Sequence, residues 1–294
     1  MDGSSSSKIR KFIFTAWPGI GSNKVKESNP MINIFEENSN SSTIAKKEDD
    51  ISITKENPSQ FYALILGVNN YSDNKIQDLD NPINDANNFY NVLINNYTYK
   101  KENVKLIENA TKDDLLEELD NYSKKLNDND NFILFYADHG YWDEKFNEGY
   151  WFLADSKKES RRTWVSNGTI QEYMRGISAK NVLLIADACF AGSMFKTRDV
   201  EIKSITGVKK LFDIPSRKAM TSGNMTEVPD NSVFIKFLIK RLEENTNRYL
   251  TSEQLFSKLK IAVINNSTNS QIPQFGVING TGDEGGGFLF IKKD

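Results

Sequence analysis

The chain has 294 residues and a net charge of −3, with 37 Lys and Arg, 40 Asp and Glu, one histidine and one cysteine. One cysteine cannot form a disulfide within the chain, and one cysteine with one histidine cannot build a Cys/His zinc site. The charge gives no general attraction to nucleic acid, and no apolar stretch approaches the ~20 residues that cross a bilayer. We therefore expect a cytoplasmic globular protein with no membrane or direct nucleic-acid partner.

The first 60 residues differ in composition from the rest of the chain. Residues 8–36 alternate well enough for a β-hairpin, whereas residues 36–60 are dominated by Asn, Ser, Lys and Asp. Too few apolar residues lie in 36–60 to offset the entropy of ordering, which predicts a mobile linker. The expected organisation is an N-terminal extension over residues 1–60 and a main domain over residues 61–294.

Strands and helices are predicted to alternate through the main domain. Short apolar runs predict strands at residues 61–68, 104–107, 132–136, 182–185, 218–222 and 287–291. Helical spacing of apolar residues predicts helices around residues 83–93, 111–122, 166–177, 233–244 and 253–264, with Thr111 and Ser166 as N-caps. The segment around residues 150–153 is expected to be irregular, and the connection 195–216 a solvated loop. Strands that are apolar on both faces and alternate with amphipathic helices predict an α/β fold with a mostly parallel sheet.

The single histidine and the single cysteine each follow one of these apolar strands. His139 comes after the strand at 132–136, and Cys189 after the strand at 182–185. Catalytic groups gather beyond the carboxyl ends of parallel strands, and neighbouring strands lie ~4.8 Å apart. A lone cysteine is more often a small buried residue than a nucleophile. The joint placement nevertheless favours a thiol and imidazole pair.

Six short motifs carry a family resemblance. They are Tyr62 to Tyr71, Asn84 to Ala86, Phe135 to Gly140, Asp187 to Gly192, Met220 to Gly223 and Gly285 to Phe288. In this order they resemble the caspase-like cysteine peptidases, and the metacaspases and other prokaryotic, orthocaspase-like members more than the animal caspases. Cys189 lies 50 residues after His139, and the caspase signature has its histidine about 50 residues upstream of the cysteine. The resemblance implies a six-stranded, mostly parallel sheet with helices on both faces.

The resemblance also implies hydrolysis of peptide bonds through a covalent thioester. Cys189 attacks the scissile carbonyl, the backbone amides of Gly140 and Cys189 stabilise the oxyanion, and His139 protonates the leaving amine. Whether His139 also removes the thiol proton stays open, because a cysteine with a lowered pKa needs no base.

Aspartates near the nucleophile predict the substrate. Asp187 precedes Cys189 by two residues where animal caspases have Gln, and in metacaspase-like members this aspartate lines the specificity pocket with the one matched by Asp85. Asp138, directly before the histidine, and Ser222 are further candidates for substrate binding. Carboxylates attract Arg or Lys and repel acidic side chains, which predicts cleavage after basic residues. Asp85 has an alternative role, which is to stabilise the N-terminus of its helix.

Cofactors, processing and partners are suggested by the same resemblance. Many metacaspases need calcium, but the acidic residues after His139 lack dense aspartate pairing, so no cofactor or metal is predicted. The available oxygen ligands are Asp143, Glu144, Glu148 and Asp155. Candidate self-cleavage sites are Arg198, Lys209, Lys210, Lys46 and Lys47. The expected partners are a protein substrate and an activating sensor protein or domain.

Other interpretations stay open from the sequence. They are a caspase-like scaffold without activity, a peptidase with specificity for Asp, and a gingipain-like or separase-like peptidase. The presence of both His139 and Cys189 argues against the scaffold, and the Asn84-Asp85-Ala86 motif favours the caspase-like branch. A nucleotide-binding domain is disfavoured because Gly19-Ile20-Gly21 lacks the third glycine and the helix of a phosphate loop.

Overall fold

The computed structural model describes residues 59–188, 195–196, 205–223, 230–267 and 271–294. The predicted β-hairpin over residues 8–36, nearly all of the predicted linker over residues 36–60, and Cys189 lie outside the described residues. No helix in the described ranges has the length and apolar character needed to span a bilayer.

The described part of the chain alternates between strands and helices. The strands are β1 (Phe61–Gly67), β2 (Val104–Glu108), β3 (Asn131–Ala137), β4 (Gly140–Asp143), β5 (Glu148–Trp151), β6 (Val165–Ser166), β7 (Asn181–Asp187), β8 (Phe195–Lys196), β9 (Ser216–Thr221), β10 (Tyr249–Thr251), β11 (Gln274–Ile278) and β12 (Leu289–Ile291). The helices are α1 (Pro82–Asn96), α2 (Lys112–Lys125), α3 (Asn167–Gly176), α4 (Ile205–Phe212), α5 (Val233–Glu243) and α6 (Ser252–Asn266).

The central sheet has the strand order β2-β1-β3-β7-β9-β11-β8. Its first five strands are parallel, and β11 is antiparallel to both β9 and β8. The predicted α/β class with a mostly parallel sheet is therefore confirmed. Six strands of five residues or more form the sheet, and the two-residue β8 extends its edge.

The helices cover both faces of the sheet because successive strand residues point to opposite sides. Ile133 and Phe135 of β3 pack into a core with α1, α5 and α6. Phe132, Leu134 and Tyr136 of the same strand pack into a second core with α2 and α3. The apolar runs of the sequence are thus explained by burial on two faces rather than one.

The predicted N-caps of two helices are confirmed. Thr111 Oγ1 accepts a hydrogen bond from Asp114 N at 3.2 Å, and the Asp114 carboxylate returns to Thr111 N to complete a capping box. Ser166 Oγ accepts from Thr169 N at 3.0 Å at the start of α3. Local side-chain chemistry therefore fixes where these helices begin.

Three expectations from the sequence were wrong. The segment expected to be irregular includes the end of β5, the middle strand of the antiparallel sheet β4-β5-β6. The connection expected to be a solvated loop contains α4, whose Val208 and Phe212 are buried beside the two lysines that made the segment look polar. The sixth strand of the sheet is β11, whereas the segment expected in that role forms β12 and pairs with β10 in a separate two-stranded sheet.

Candidate active site

The carboxyl ends of three neighbouring strands meet at one edge of the sheet. Ala137 of β3 lies opposite Gly67 of β1 on one side and Asp187 of β7 on the other. The chain then continues from β3 into Asp138 and His139, and Asp138 N donates to Asp187 O at 3.3 Å. Because β3 and β7 are adjacent, His139 and the segment leading to Cys189 start from the same place.

The His139 side chain is held by the loop between β1 and α1. Its Nε2 atom lies 2.9 Å from Gln77 O, and the ring of Tyr71 packs against the imidazole with centroids 5.5 Å apart. A carbonyl oxygen can only accept, so this contact requires a proton on Nε2 and fixes the orientation of the ring. The backbone is fixed as well, since His139 O accepts from Tyr136 Oη at 2.8 Å and from Phe152 N at 3.2 Å.

Gly140, the predicted oxyanion donor, directly follows His139 and begins β4. It pairs with Trp151 of β5, so the backbone after the histidine is part of the β4-β5-β6 sheet. The second predicted donor, the amide of Cys189, lies outside the described residues. The oxyanion role of both amides stays a prediction.

Asp187 is a buried carboxylate at the end of β7. Asp187 is only 5% exposed, and this burial raises its pKa to about 6. Hydrogen bonding by the hydroxyls of Ser232 and then Ser222 lowers the pKa and so offsets part of the rise. Within the described residues, its Oδ1 atom has no hydrogen-bond partner. Ser222 is also buried, and it lies close enough to lower the pKa of Asp187, yet its Oγ atom makes no hydrogen bond of standard geometry among those residues.

Asp85 lies in the first turn of α1, close to Asp187. Gly67 makes this possible, because a Cβ atom there would lie 2.6 Å from Pro82 O and 2.9 Å from the Cβ of Ala86. Burial, then the charges of Asp187 and Asp230, raises the pKa of Asp85 to about 7. A helix N-terminus alone would lower the pKa of a carboxyl group, so burial and like charges outweigh the helix dipole here.

Asp138 is placed differently from the other two aspartates. Its Oδ1 atom accepts from the backbone N of His139 at 2.5 Å, and burial holds its pKa well above the usual range. Neither Asp85 nor Asp187 contributes to that shift. The structure therefore brings Asp85 and Asp187 together, with Ser222 beside Asp187, whereas Asp138 supports the backbone of the histidine.

Three residues of this region were missed from the sequence. They are Gln77, Asp230 and Ser232. Gln77 acts through its backbone carbonyl, which no residue type encodes, and the contacts of Asp230 reach across 149 and 150 residues. Ser232 carried a signal, because a serine before the apolar positions of α5 is typical of an N-cap, and its Oγ accepts from Ile235 N at 3.1 Å.

Two of the acidic residues considered for calcium, Asp143 and Asp155, make other contacts. Asp143 pairs with Arg161 at 3.5 Å and accepts from Lys145 N, and Asp155 accepts from Lys112 N at 2.8 Å. Across the ranges that the structure describes, no three His, Cys, Asp or Glu side chains are grouped to hold a metal ion. The absence of a calcium requirement stays a prediction.

Comparison with known proteins gives one family match and a shared fold. A family model described as "Caspase domain" matches residues 60–279. Protein GSU0716 from Geobacter sulfurreducens is 16% identical, with a TM-score of 0.54 and coverage of 74% of this chain and 93% of that chain. Caspase-1 from Spodoptera frugiperda is 12% identical, with a TM-score of 0.53 and coverage of 75% and 87%. A search among curated proteins finds no matching sequence.

Proposed function

The chain belongs to the caspase domain family, whose match spans residues 60–279, and we propose that it is a cysteine endopeptidase that cleaves proteins after Arg or Lys. The proposed nucleophile is Cys189 and the proposed acid is His139. The adjacency of β3 and β7 supports this pair, because both residues closely follow the carboxyl ends of neighbouring strands.

The proposed reaction has two steps. The Cys189 thiolate attacks the scissile carbonyl carbon, the C–N bond breaks, and His139 gives a proton to the leaving amine, so that a thioester remains. Water then adds to the thioester, which releases the new carboxyl group and restores the thiol. Because Nε2 is held by Gln77 O, Nδ1 is the nitrogen through which we expect His139 to exchange protons with the substrate. The amides of Gly140 and Cys189 are the proposed oxyanion donors.

The observation that carries the basic specificity is the pair of carboxylates Asp85 and Asp187. Both have pKa values well above the ordinary 3.8, chiefly because both are buried, and the charge of Asp187 adds to the shift of Asp85. Within the described residues neither pairs with a lysine or arginine. Two carboxylates that have no cationic partner among the described residues favour a substrate that brings one.

A panel of fluorogenic peptides tests this proposal. The peptides differ only in the residue before the scissile bond, which is Arg, Lys, Gln or Asp, and each is given to the wild type and to Cys189→Ala. We expect cleavage after Arg and Lys in the wild type alone. Faster cleavage after Asp would contradict the basic specificity. No cleavage of any peptide, together with an unreactive Cys189, would favour the scaffold without activity.

Self-processing is part of the proposal, and two of its candidate sites lie within a helix. Lys209 and Lys210 lie inside α4, and this helix is anchored by buried Val208 and Phe212. A peptidase takes an extended chain, so cleavage there requires local unfolding of α4. The other candidates, Arg198, Lys46 and Lys47, lie outside the described residues, and no such requirement is set for them. Fragment masses of the wild type beside Cys189→Ala will distinguish these sites.

A further inference from the structure

Asp230 connects two parts of the chain that are far apart in sequence. Its two carboxylate oxygens each accept from Asp80 N at 3.1 Å. Asn81 adds two more bonds, from its backbone N to Oδ1 at 3.1 Å and from its Nδ2 to Oδ2 at 3.0 Å. One carboxylate thus holds the two residues that come directly before α1, and hydrogen bonds to a charged acceptor are the stronger kind.

The beginning of α1 depends on this contact because its own cap is not used. Asn81 occupies the N-cap position, where an Asn side chain normally accepts from the helix, yet it makes no such bond. Its amide donates to Asp230 instead, and Ile83 N is satisfied by Asn69 Oδ1 at 2.9 Å. The first turn of α1, which carries Asp85, is therefore fixed by side chains from outside the helix.

The segment that carries Asp230 also reaches the second carboxylate of the proposed pocket. Ser232, two residues further on, caps α5 and lowers the pKa of Asp187 through its hydroxyl. The charge of Asp230 is in turn felt by Asp85. Residues 230–232 therefore act on both members of the pair, on Asp187 through the Ser232 hydroxyl and on Asp85 through the charge of Asp230.

Resting on the proposed basic specificity, we infer that Asp230 is a positioning residue for substrate binding. It fixes the first turn of α1 so that Asp85 and Asp187 face the same Arg or Lys side chain. Like charges held close together repel each other, so this arrangement needs an external restraint while no cation is bound. Four hydrogen bonds to Asp230 supply that restraint.

The test compares Asp230→Ala and Asp230→Asn with the wild type on an Arg peptide. Asp230→Ala is expected to raise KM about tenfold and to leave kcat within about twofold, because binding loses one well-placed carboxylate. Asp230→Asn keeps one acceptor oxygen and is expected to raise KM only about threefold. The matched control is Asp128→Asn, which removes one charge from an exposed turn before β3 and should leave KM unchanged.

Two further measurements separate positioning from damage to the fold. The alkylation rate of Cys189, the one cysteine of the chain, should stay near wild type in both Asp230 variants, and the melting temperature should fall by about 5 °C at most, as expected for the hydrogen bonds removed. An unchanged KM in Asp230→Ala would overturn the positioning role and leave the proposed peptidase intact. An equal rise of KM in Asp230→Ala and Asp230→Asn would show an effect of charge alone. A parallel fall in kcat and in the alkylation rate would show structural damage. Either result would overturn the positioning role. A wild type that does not prefer basic peptides overturns the proposed function and this role together.

Discussion

The two ends of the central sheet both bury polar side chains, but the two ends differ in how far these side chains are hydrogen-bonded. At the amino ends of the strands, Asn181 Nδ2 donates to Asn131 Oδ1 at 3.1 Å, and Ser216 Oγ donates to Asn181 Oδ1 at 2.9 Å. Arg217 is also buried there, and its guanidinium donates to the carbonyl oxygens of Met174, Ile177, Lys180 and Ser216. This end is a hydrogen-bonded network that joins β3, β7 and β9.

At the carboxyl ends of the same strands, four buried polar atoms of the described residues lack such partners. Within the described residues, Asp138 Oδ2, Asp187 Oδ1, Thr221 Oγ1 and Ser222 Oγ accept or donate no hydrogen bond. A buried polar group without a hydrogen bond lowers the stability of the fold, so a role other than folding has to explain why it is there. One end of the sheet is therefore joined by a hydrogen-bonded network, whereas the other, where the proposed function places the substrate, leaves buried polar atoms unsatisfied among the described residues.

The largest expected effect comes from removing the imidazole at the carboxyl end. His139→Ala should lower kcat/KM on an Arg peptide by at least about 10³-fold, because proton transfer to the leaving amine is lost. Its melting temperature should stay close to that of the wild type. Steady-state kinetics and thermal unfolding of the same preparation check both parts. A loss of less than about tenfold would remove His139 from the proposed mechanism.

The second prediction concerns the charge of Asp187. Asp187→Asn should lower kcat/KM on Arg peptides by about 10²-fold, since the substrate cation loses a buried partner. The same change should raise the free energy of unfolding at pH 8, because the native state no longer holds a buried charge. Alkylation of Cys189 is the control and should proceed normally. Lower stability together with lower activity would instead give Asp187 a structural role.

The third prediction applies the opposite change at the amino end. Asn181→Ala removes bonds to Asn131, Phe212 O and Ser216 and should lower the free energy of unfolding by about 2 kcal/mol. The kinetic constants measured well below the melting temperature should stay within about twofold of wild type. Chemical unfolding and peptide kinetics check these expectations. If activity fell as much as in Asp187→Asn, the two ends would not be functionally distinct.

The sequence predicted the two ends unequally, for a physical reason. Strands apolar on both faces can only belong to a buried sheet, so β1, β3 and β7 were predictable from their residues. The positions of His139 and Asp187 follow from these strand ends, and Asp85 follows from its motif. The network at the amino end, by contrast, consists of single polar residues within or next to apolar strands, and its partners depend on strand order.

The features that the sequence did not predict depend on contacts between residues far apart in the chain. Val208 and Phe212 fix α4 against the core, although Lys209 and Lys210 make the same segment look solvated. Gln77 contacts His139 through a backbone carbonyl, and Asp230 contacts the residue before α1 across 149 positions of the sequence. Such contacts have no local periodicity, so only the folded chain reveals them.

The smallest expected effect is a pH dependence of cation binding at the carboxyl end. The pKa values of about 6 for Asp187 and about 7 for Asp85 lie above the 3.8 of an unfolded aspartate. The native state therefore binds more protons than the unfolded chain between about pH 4 and 7, so the free energy of unfolding falls as pH rises through that range. The affinity for a cation changes in the opposite direction, because deprotonation creates the charges that bind it.

Benzamidine, a cation without a scissile bond, separates this effect from the titration of His139. Its inhibition constant should fall about tenfold between pH 5 and pH 8, while the melting temperature of the free protein decreases. Asp187→Asn should weaken both trends, and Asn181→Ala should weaken neither. If Asp187→Asn kept the full slope of the inhibition constant, the pH dependence would arise elsewhere. If affinity and stability rose together with pH, the carboxylates at this edge would be paired in the free protein and the contrast between the two ends of the sheet would not hold.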